Sequence, residues 1–269
     1  MKKDWIRLPL SAPEEEISYP RICAHRGIPA AAPENTLPGF AYAIAMGADE
    51  IEFDVRTTAD GALVVCHDPT IDRTTDRTGA VNALTLEEIR PADAGVKCSP
   101  AYAGTKIPLL EEVFFHFAKR TVMNIHVYAS VDWNEPKSEE YDPVAFAEIV
   151  GLIRKYGCED HCYIAGDVDV LKTAIKLAPD LKRCCLGGVS DFTMVEKAIE
   201  YKCHKAQFTK GFVTPEMIEK AHDHGICCNI FWANEGEEAR HFVEMGFDTI
   251  LTDNYLVVAK ALGRSLEQQ

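Results

Sequence analysis

The chain has 269 residues, of which 47% are apolar and 26% are charged, as in an ordinary globular protein. Its formal net charge is −14, and a field of this sign repels the phosphate backbone of nucleic acids and the headgroups of anionic lipids. We therefore expect no nucleic-acid partner, and an anionic substrate would have to be received by local cations.

The first 20 residues contain no apolar run of the length that a signal peptide requires, and no stretch of about 18 apolar residues that could span a bilayer occurs elsewhere. This pattern predicts a cytoplasmic protein without a membrane span.

Several of the ten cysteines lie inside apolar, strand-like runs, where a reduced thiol packs as a small hydrophobic group. No linker or low-complexity run divides the chain, which predicts a single domain over residues 1–269. The sequence does not indicate an oligomeric state.

Three short extended runs are predicted near the start of the chain, at residues 21–24, 48–55 and 62–66. A helix with apolar residues at helical spacing joins the first two runs and ends at Gly47. Residues 69–108 are less periodic and rich in charged and turn-forming residues, which predicts a loop-rich insertion. A loop-rich insertion of this length inside a compact domain usually has a functional role.

The remainder of the chain alternates between helices and strands. The predicted strands begin at residues 122, 162, 182, 204, 226 and 248, and the last five starts are 20 or 22 residues apart. Such a period is typical of repeated βα units. Together with the runs at 21–24 and 48–55, these strands number eight, which predicts an α/β fold, a closed (β/α)8 or TIM barrel with the 62–66 run as an extra strand at the rim. An open doubly wound sheet is the alternative, but its glycine-rich dinucleotide turn is missing.

A pair of carboxylates lies near the end of the second predicted strand. Glu52 and Asp54 are two residues apart and therefore point to the same side of the strand. Two carboxylates buried at one spot repel each other unless they share a divalent cation, so the pair predicts a metal site. The alternative is a solvent-facing pair on an edge strand, which would leave the intervening apolar residues on the helix-facing side.

Two histidines and an arginine lie at other predicted strand ends, where the reactive groups of a (β/α) barrel are found. His25 and Arg26 follow the first run, and His67 follows the third. A single strand-end histidine such as His67 is more often structural, but two imidazoles at one barrel mouth can act as acid and base on opposite sides of a reacting group. The guanidinium of Arg26 offers a fork that suits a phosphate.

The order of these residues resembles the sequence pattern of the glycerophosphodiester phosphodiesterases. The matching positions are His25-Arg26-Gly27, Pro33-Glu34-Asn35-Thr36, Gly47-Ala48-Asp49, Glu52 and Asp54, Asp60-Gly61, Val64-Val65, His67-Asp68 and Arg73-Thr74-Thr75. A weaker resemblance extends across the chain to Thr252-Asp253. It implies a TIM barrel that hydrolyses glycerophosphodiesters, which are small-molecule phosphodiesters, to glycerol 3-phosphate and an alcohol.

The resemblance also implies a role for each of the strand-end residues. Glu52 and Asp54 would hold one divalent cation, Mg²⁺ or Ca²⁺ in this family, together with a further carboxylate. His25 and His67 would form the acid–base pair. Arg26 would bind the phosphate.

The sequence departs from the family pattern in two later strands. The family's third metal ligand is a glutamate, and His126 takes its place; a lysine expected near the phosphate is replaced by Tyr128. The family's tryptophan is shifted by one position to Trp232, which the resemblance implies as a residue that contacts the substrate. Glu34 could be a further ligand or could orient a neighbouring residue, and an exposed loop residue is the alternative.

These departures lead to two expectations about activity. With His126 as the third ligand, we predict that binding is retained but tilted toward Mn²⁺, Zn²⁺ or Co²⁺, because histidine is neutral and prefers softer cations than an all-oxygen site. Tyr128 brings no positive charge, which predicts weaker activity on ordinary glycerophosphodiesters. The alternatives are a barrel that has lost turnover and binds a phosphorylated ligand, and an enzyme that cleaves another phosphodiester.

Overall fold

The computed structural model of the protein describes residues 8–128, 140–186 and 192–264. The single-domain prediction over residues 1–269 and the signal-peptide prediction include residues outside these ranges. Within them the strands are β1 (Arg21–His25), β2 (Glu50–Thr57), β3 (Leu63–Val65), β4 (Val122–Val127), β5 (Cys162–Gly166), β6 (Arg183–Leu186), β7 (Lys205–Thr209), β8 (Cys227–Phe231) and β9 (Thr249–Thr252).

Eight of these strands form a closed parallel barrel. Their order around the sheet is β1, β9, β8, β7, β6, β5, β4 and β2, and β1 pairs with both β9 and β2. The short strand β3 pairs with β2 in the antiparallel direction and lies outside the ring, as the sequence predicted for an extra strand at the rim. The predicted (β/α)8 barrel is therefore confirmed.

Helices surround the barrel and cover its outer face. They are α1 (Leu37–Ala45), α2 (Leu86–Ile89), α3 (Leu110–Phe117), α4 (Pro143–Lys155), α5 (Val168–Leu177), α6 (Met194–Glu200), α7 (Pro215–Asp223), α8 (Gly236–Glu244) and α9 (Tyr255–Ala261). The main hydrophobic core lies between these helices and the outward side chains of the strands. In the described parts of the chain, no helix combines the length and the apolar character needed to cross a membrane. The cytoplasmic location stays a prediction from the sequence.

The side chains of β2 show how the barrel sorts polar from apolar residues. Ile51, Phe53 and Val55 belong to the core between sheet and helices. Because successive side chains of a strand point to opposite faces, Glu52 and Asp54 point into the barrel. They are 1% and 0% exposed, which excludes the solvent-facing alternative for this pair.

The amino-terminal end of the barrel is filled by a cluster of four buried charged residues, which we call the basal cluster: Glu14, Arg21, Glu50 and Lys205. Glu14 enters from a short 3₁₀ turn that precedes β1. Arg21 Nη1 lies 2.7 Å from Glu14 Oε1 and 3.2 Å from Glu50 Oε1, and Lys205 Nζ lies 3.1 and 3.2 Å from the same two atoms. Each charge in the basal cluster thus has two opposite partners at the end of the barrel remote from the strand carboxyl termini.

The insertion predicted at residues 69–108 contains α2 and two 3₁₀ turns, Val81–Ala83 and Pro100–Tyr102. It has a small core of its own, formed with residues at β3: Val64, Cys66, Ile71, Val81, Ile89, Ala92, Ala94 and Ile107. This core fixes the insertion beside the end of β3, so that its first residues lie at the mouth of the barrel.

Candidate active site

The strand-end residues predicted from the sequence converge at the carboxyl-terminal mouth of the barrel. Parallel pairing places Asp54 of β2 beside His126 of β4, and His25 of β1 beside Glu52 of β2. The inward positions of neighbouring strands therefore face one space. Trp232 directly follows β8 and lines the same mouth.

Glu52, Asp54 and His126 form a group with the geometry of a cation site. Each offers one ligand atom, and these atoms all lie within 4.8 Å of one another. His126 Nδ1 lies 3.7 Å from Glu52 Oε1 and 3.3 Å from Asp54 Oδ1. Asp54 Oδ1 is buried and has no hydrogen bond in the described parts of the chain. A buried carboxylate oxygen in this state is a ready ligand for a cation.

The charges of this group are strongly coupled. Burial alone would raise the pKa of Asp54, but the adjacent His126 ring and the Arg26 guanidinium hold it well below its usual range. Burial alone would lower the pKa of His126, but Asp54 and Glu52 raise it to about 9. His126 is therefore protonated at neutral pH, and a cation held by this group would have to displace that proton.

His25 is held by a carboxylate at the end of β9. Its Nδ1 atom donates to Asp253 Oδ1 over 2.7 Å, since a carboxylate can only accept. Asn234 fixes Asp253 in turn, because its Nδ2 atom donates to Asp253 Oδ2 and its Oδ1 atom accepts from the Asp253 amide. The other ring nitrogen of His25, Nε2, lies 3.8 Å from Glu52 Oε2. His25 Nε2 thus faces the carboxylates of the cation group.

His67 is oriented in a similar way. Its Nδ1 atom donates to Asp68 Oδ1 over 2.7 Å, and its backbone carbonyl accepts from Arg56 Nε over 2.8 Å. Burial lowers the pKa of His67 from its usual value, so the ring is mostly neutral at pH 7. In both His25 and His67 the Nδ1 atom is engaged by a carboxylate, so Nε2 is the atom placed for proton transfer.

Arg26 sits in a tight turn after β1, with a positive φ of 54°. Its amide donates to Glu52 Oε2, its Nη1 atom donates to Glu34 Oε1 over 3.1 Å, and its Nε atom lies 3.5 Å from Asp54 Oδ2. Arg26 Nε is buried without a hydrogen bond among the described residues. Glu34 is half-buried, and its carboxylate accepts hydrogen bonds from Arg26 and Arg73. Of the alternatives for Glu34, this contact favours orientation of a neighbouring residue over a place in the cation group.

Tyr128 stands where the family pattern has a lysine. Its ring lies over that of His126 with a centroid distance of 4.0 Å, and it meets the edge of His67 at 5.6 Å. The guanidinium carbon of Arg56 lies 4.5 Å from the centre of the Tyr128 ring. Tyr128 therefore contributes packing rather than charge, and Arg56 brings a buried cation to this side of the mouth.

A cavity of about 360 Å³ opens beside His25. Its lining residues are His25, Arg26, Pro29, Glu34, Phe231, Trp232 and Asp253. Phe231 packs edge-on against the His25 ring, and Lys210 Nζ lies 5.1 Å from the centre of the Trp232 ring. The cavity combines aromatic walls with charged groups and is large enough for a small organic phosphate.

Sequence reasoning assigned no role to several residues that hold the predicted ones. Asp253 and Asn234 hold His25, and Asn35 Nδ2 donates to Asp54 Oδ2 over 2.7 Å. Two of these residues could have been found from the sequence, since Asn35 lies in the Pro-Glu-Asn-Thr motif and Asp253 belongs to the Thr252-Asp253 match.

Fold and site together define a class of protein: a TIM barrel with a buried carboxylate pair, two carboxylate-bound histidines and an arginine at one mouth. Comparison with known proteins identifies the family. The model of the glycerophosphoryl diester phosphodiesterase family matches residues 25–257. A glycerophosphodiester phosphodiesterase of Caldanaerobacter subterraneus subsp. tengcongensis is 34% identical over 87% of this chain and 93% of its own length. One of Bacillus altitudinis is 30% identical over 87% and 94%.

Solved structures show the same barrel. A glycerophosphodiester phosphodiesterase from Agrobacterium tumefaciens has a TM-score of 0.75 and 25% identity, over 91% of this chain and 100% of its own. A phosphodiesterase from Oleispira antarctica, solved in complex with the product sn-glycerol-3-phosphate, has a TM-score of 0.82 and 23% identity, over 91% and 97%. The chain belongs to the glycerophosphoryl diester phosphodiesterase family and is a phosphoric diester hydrolase by class, which confirms the resemblance.

Proposed function

We propose that this protein hydrolyses glycerophosphodiesters to glycerol 3-phosphate and an alcohol, with a divalent cation on Glu52, Asp54 and His126 and with His25 and His67 as the acid–base pair. One observation carries the proposal: the two carboxylate-bound imidazoles lie at the same barrel mouth as three converging ligand atoms. The relatives whose names give this activity span nearly the whole chain.

The residues present suit a divalent cation. Two buried carboxylates, which repel each other without a cation, converge with an imidazole. Asp54 Oδ1 is buried without a hydrogen bond among the described residues. When bound, the cation would supply positive charge to the non-bridging oxygens of the phosphate as the transition state forms. The imidazole of His126 favours Mn²⁺, Zn²⁺ or Co²⁺ over Mg²⁺ and Ca²⁺.

The chain's own residues divide the remaining work. Arg26 lines the cavity beside His25, from which its guanidinium can donate to a phosphate oxygen. One histidine accepts the proton of the oxygen that attacks phosphorus. The other donates a proton through Nε2 to the alcohol oxygen as its bond to phosphorus breaks. Trp232 and Phe231 form the wall against which the organic part of the substrate packs.

A coupled assay for glycerol 3-phosphate, run over a panel of headgroups and divalent cations, tests this function. We expect His25→Ala and His67→Ala each to lower kcat by about 10²–10⁴-fold. His241→Ala is the matched control, because His241 is exposed on α8. Full activity in either site variant would contradict the acid–base assignment.

A second candidate is a barrel that binds a phosphorylated ligand without turning it over. The replacement of two charged family residues by His126 and Tyr128 favours it, since each removes a charge from the site. Binding of glycerol 3-phosphate without cleavage of any diester, under any cation of the panel, would select this candidate. Cleavage of a different small phosphodiester alone would instead indicate altered specificity.

A further inference from the structure

We propose that Arg73, in the insertion, is a positioning residue that holds the proton-transfer group His67 and the phosphate ligand Arg26 through two carboxylates, Asp68 and Glu34. The inference rests on the proposed function for the roles of His67 and Arg26. Under this inference, the insertion at residues 69–108 supplies a side chain that orients residues of the site.

The first half of this arrangement orients His67. Arg73 Nε donates to Asp68 Oδ2 over 2.6 Å, and Arg73 Nη2 donates to Asp68 Oδ1 over 3.1 Å. Asp68 Oδ1 also accepts from His67 Nδ1 over 2.7 Å. A carboxylate held at both oxygens has one orientation, so the imidazole that donates to it has one tautomer and one ring plane.

The second half concerns Arg26. Arg73 Nη1 donates to Glu34 Oε2 over 2.7 Å and Arg73 Nη2 donates to Glu34 Oε1 over 2.8 Å, in a two-pronged geometry. Glu34 Oε1 also accepts from Arg26 Nη1 over 3.1 Å. Because Arg73 shares this carboxylate, Glu34 neutralises Arg26 less completely. The guanidinium of Arg26 therefore keeps positive charge for the phosphate while its position stays fixed.

The geometry requires arginine. A planar guanidinium presents donors along two edges and reaches both carboxylates at once, which a lysine ammonium cannot do with the same directionality. The Arg73 side chain is 48% exposed, whereas those of Glu34 and Asp68 are 16% and 24% exposed. Exposed ion pairs contribute little to folding, so removal of Arg73 should leave the barrel intact and disturb only the residues it orients.

The test compares Arg73→Ala with Arg77→Ala. Arg77 is exposed in the same insertion and forms no ion pair among the residues described. We expect Arg73→Ala to lower kcat by about 10–100-fold and to raise KM, the size typical of groups that orient a catalytic ligand. Arg73→Lys should restore part of the lost kcat. Arg77→Ala should match the wild type, and all variants should unfold at the wild-type temperature.

The two halves separate in single variants. Asp68→Asn should lower kcat with little change in KM, whereas Glu34→Gln should raise KM. Because the effects of substitutions within one hydrogen-bond network are not additive, the double variant Arg73→Ala/Asp68→Asn should lose less kcat than the product of the two single losses. Kinetics of Arg73→Ala equal to those of Arg77→Ala, or fully additive effects, would overturn the inference.

A readout independent of turnover keeps this test distinct from that of the proposed function. ¹⁵N NMR of the imidazoles, in the absence of substrate, should show neutral His67 as the Nδ1–H tautomer in the wild type and as a mixture in Arg73→Ala. An unchanged tautomer would overturn the inference even if the enzyme proves active. Absence of diester cleavage by the wild type would overturn the proposed function and leave the NMR comparison valid.

Discussion

Each histidine proposed for proton transfer has a carboxylate on Nδ1, but the two carboxylates are held differently. Asp253 is held by the neutral amide of Asn234, and Asp68 by the charged Arg73. The first pair therefore keeps a full negative charge beside His25, whereas the charge beside His67 is partly neutralised. A carboxylate at this position stabilises the imidazolium formed during proton transfer and fixes its tautomer.

The His25 pair leads to a prediction about Asp253→Asn. The amide keeps the shape of the carboxylate but loses its charge and presents donor hydrogens to Nδ1, so we expect kcat to fall by at least ~100-fold with KM little changed. Steady-state kinetics with a cleaved diester would measure this. Asp248→Asn is the control, because Asp248 pairs with His222 at the opposite end of β9. Equal kinetics of the two variants would contradict a role for Asp253.

His126 leads to a prediction about metal binding and pH. Its pKa of about 9 means that a cation must displace a proton at pH 7, so binding should release about one proton per ion and tighten as the pH rises toward 9. Calorimetry in buffers of different ionisation enthalpy measures the proton release. His126→Glu should release fewer protons and shift the preference toward Mg²⁺ or Ca²⁺. Unchanged proton release and metal preference in His126→Glu would exclude His126 as a ligand.

For single residues, the sequence predicted the position of a side chain where that position depends only on the residue's own strand. The period of two placed Glu52 and Asp54 on one side, and the barrel rule placed His25 at the mouth. The partner of His25 could not be predicted in the same way, because Asp253 lies 228 residues away and their contact depends on barrel closure. The residue type of Arg26 predicts a fork that suits a phosphate, but its contact with Glu34 depends on the folded turn and could not be predicted.

Helix α1 bears on the site because the turn before it carries Glu34 and Asn35, which contact Arg26 and Asp54. Thr36 caps the helix, accepting from the Gly39 amide and donating to the Pro33 carbonyl. A Cβ atom on Gly39 would lie 2.6 Å from the Pro33 carbonyl oxygen. The sequence predicted this helix from its apolar spacing, but the close approach of Gly39 to the turn is a tertiary feature that spacing does not encode.

We therefore expect Gly39→Ala to displace the turn, to destabilise the protein by about 1–3 kcal/mol and to lower activity. Gly151→Ala is the matched control, because Gly151 lies in α4 with no atom near its Cβ position. That substitution should stabilise the fold by about 0.5–1 kcal/mol, since alanine is the better helix former. Denaturant unfolding and the diester assay would measure both variants, and a neutral Gly39→Ala would show that the turn tolerates a shift.

In the molecule as a whole, buried charged residues lie at both ends of the barrel. The basal cluster balances two carboxylates with two cations at the amino-terminal end, away from the mouth. Burial would raise the pKa of Glu14, but Lys205, Lys182 and Arg21 lower it to about 2. Strand count and period predicted the barrel, but not this cluster, because Glu14 lies in a polar segment without periodicity.

The lowered pKa of Glu14 predicts a specific acid sensitivity. The pKa of Glu14 in the folded protein is below its ordinary value of 4.5, so the stability that Glu14 contributes is present above about pH 4.5 and is lost as the pH falls toward 2. The shift corresponds to at most about 3 kcal/mol. Urea unfolding of Glu14→Gln should show a loss at pH 7 that shrinks between pH 4.5 and 2. Glu16→Gln, an exposed neighbour in the same turn, should show neither effect, and a pH-independent loss in Glu14→Gln would refute the assignment.

The hydrogen bond between His25 and Asp253 joins the first strand of the barrel to the residue just after the last. During synthesis, both proposed proton-transfer histidines and all three proposed cation ligands leave the ribosome long before Asp253 does. We expect a nascent chain that stops before β9 to bind its cation poorly and to cleave no diester, since neither ring closure nor the His25 partner exists. Diester cleavage would then appear only in chains that include β9 and Asp253. Assays of chains stalled at increasing lengths and then released would show when the barrel closes.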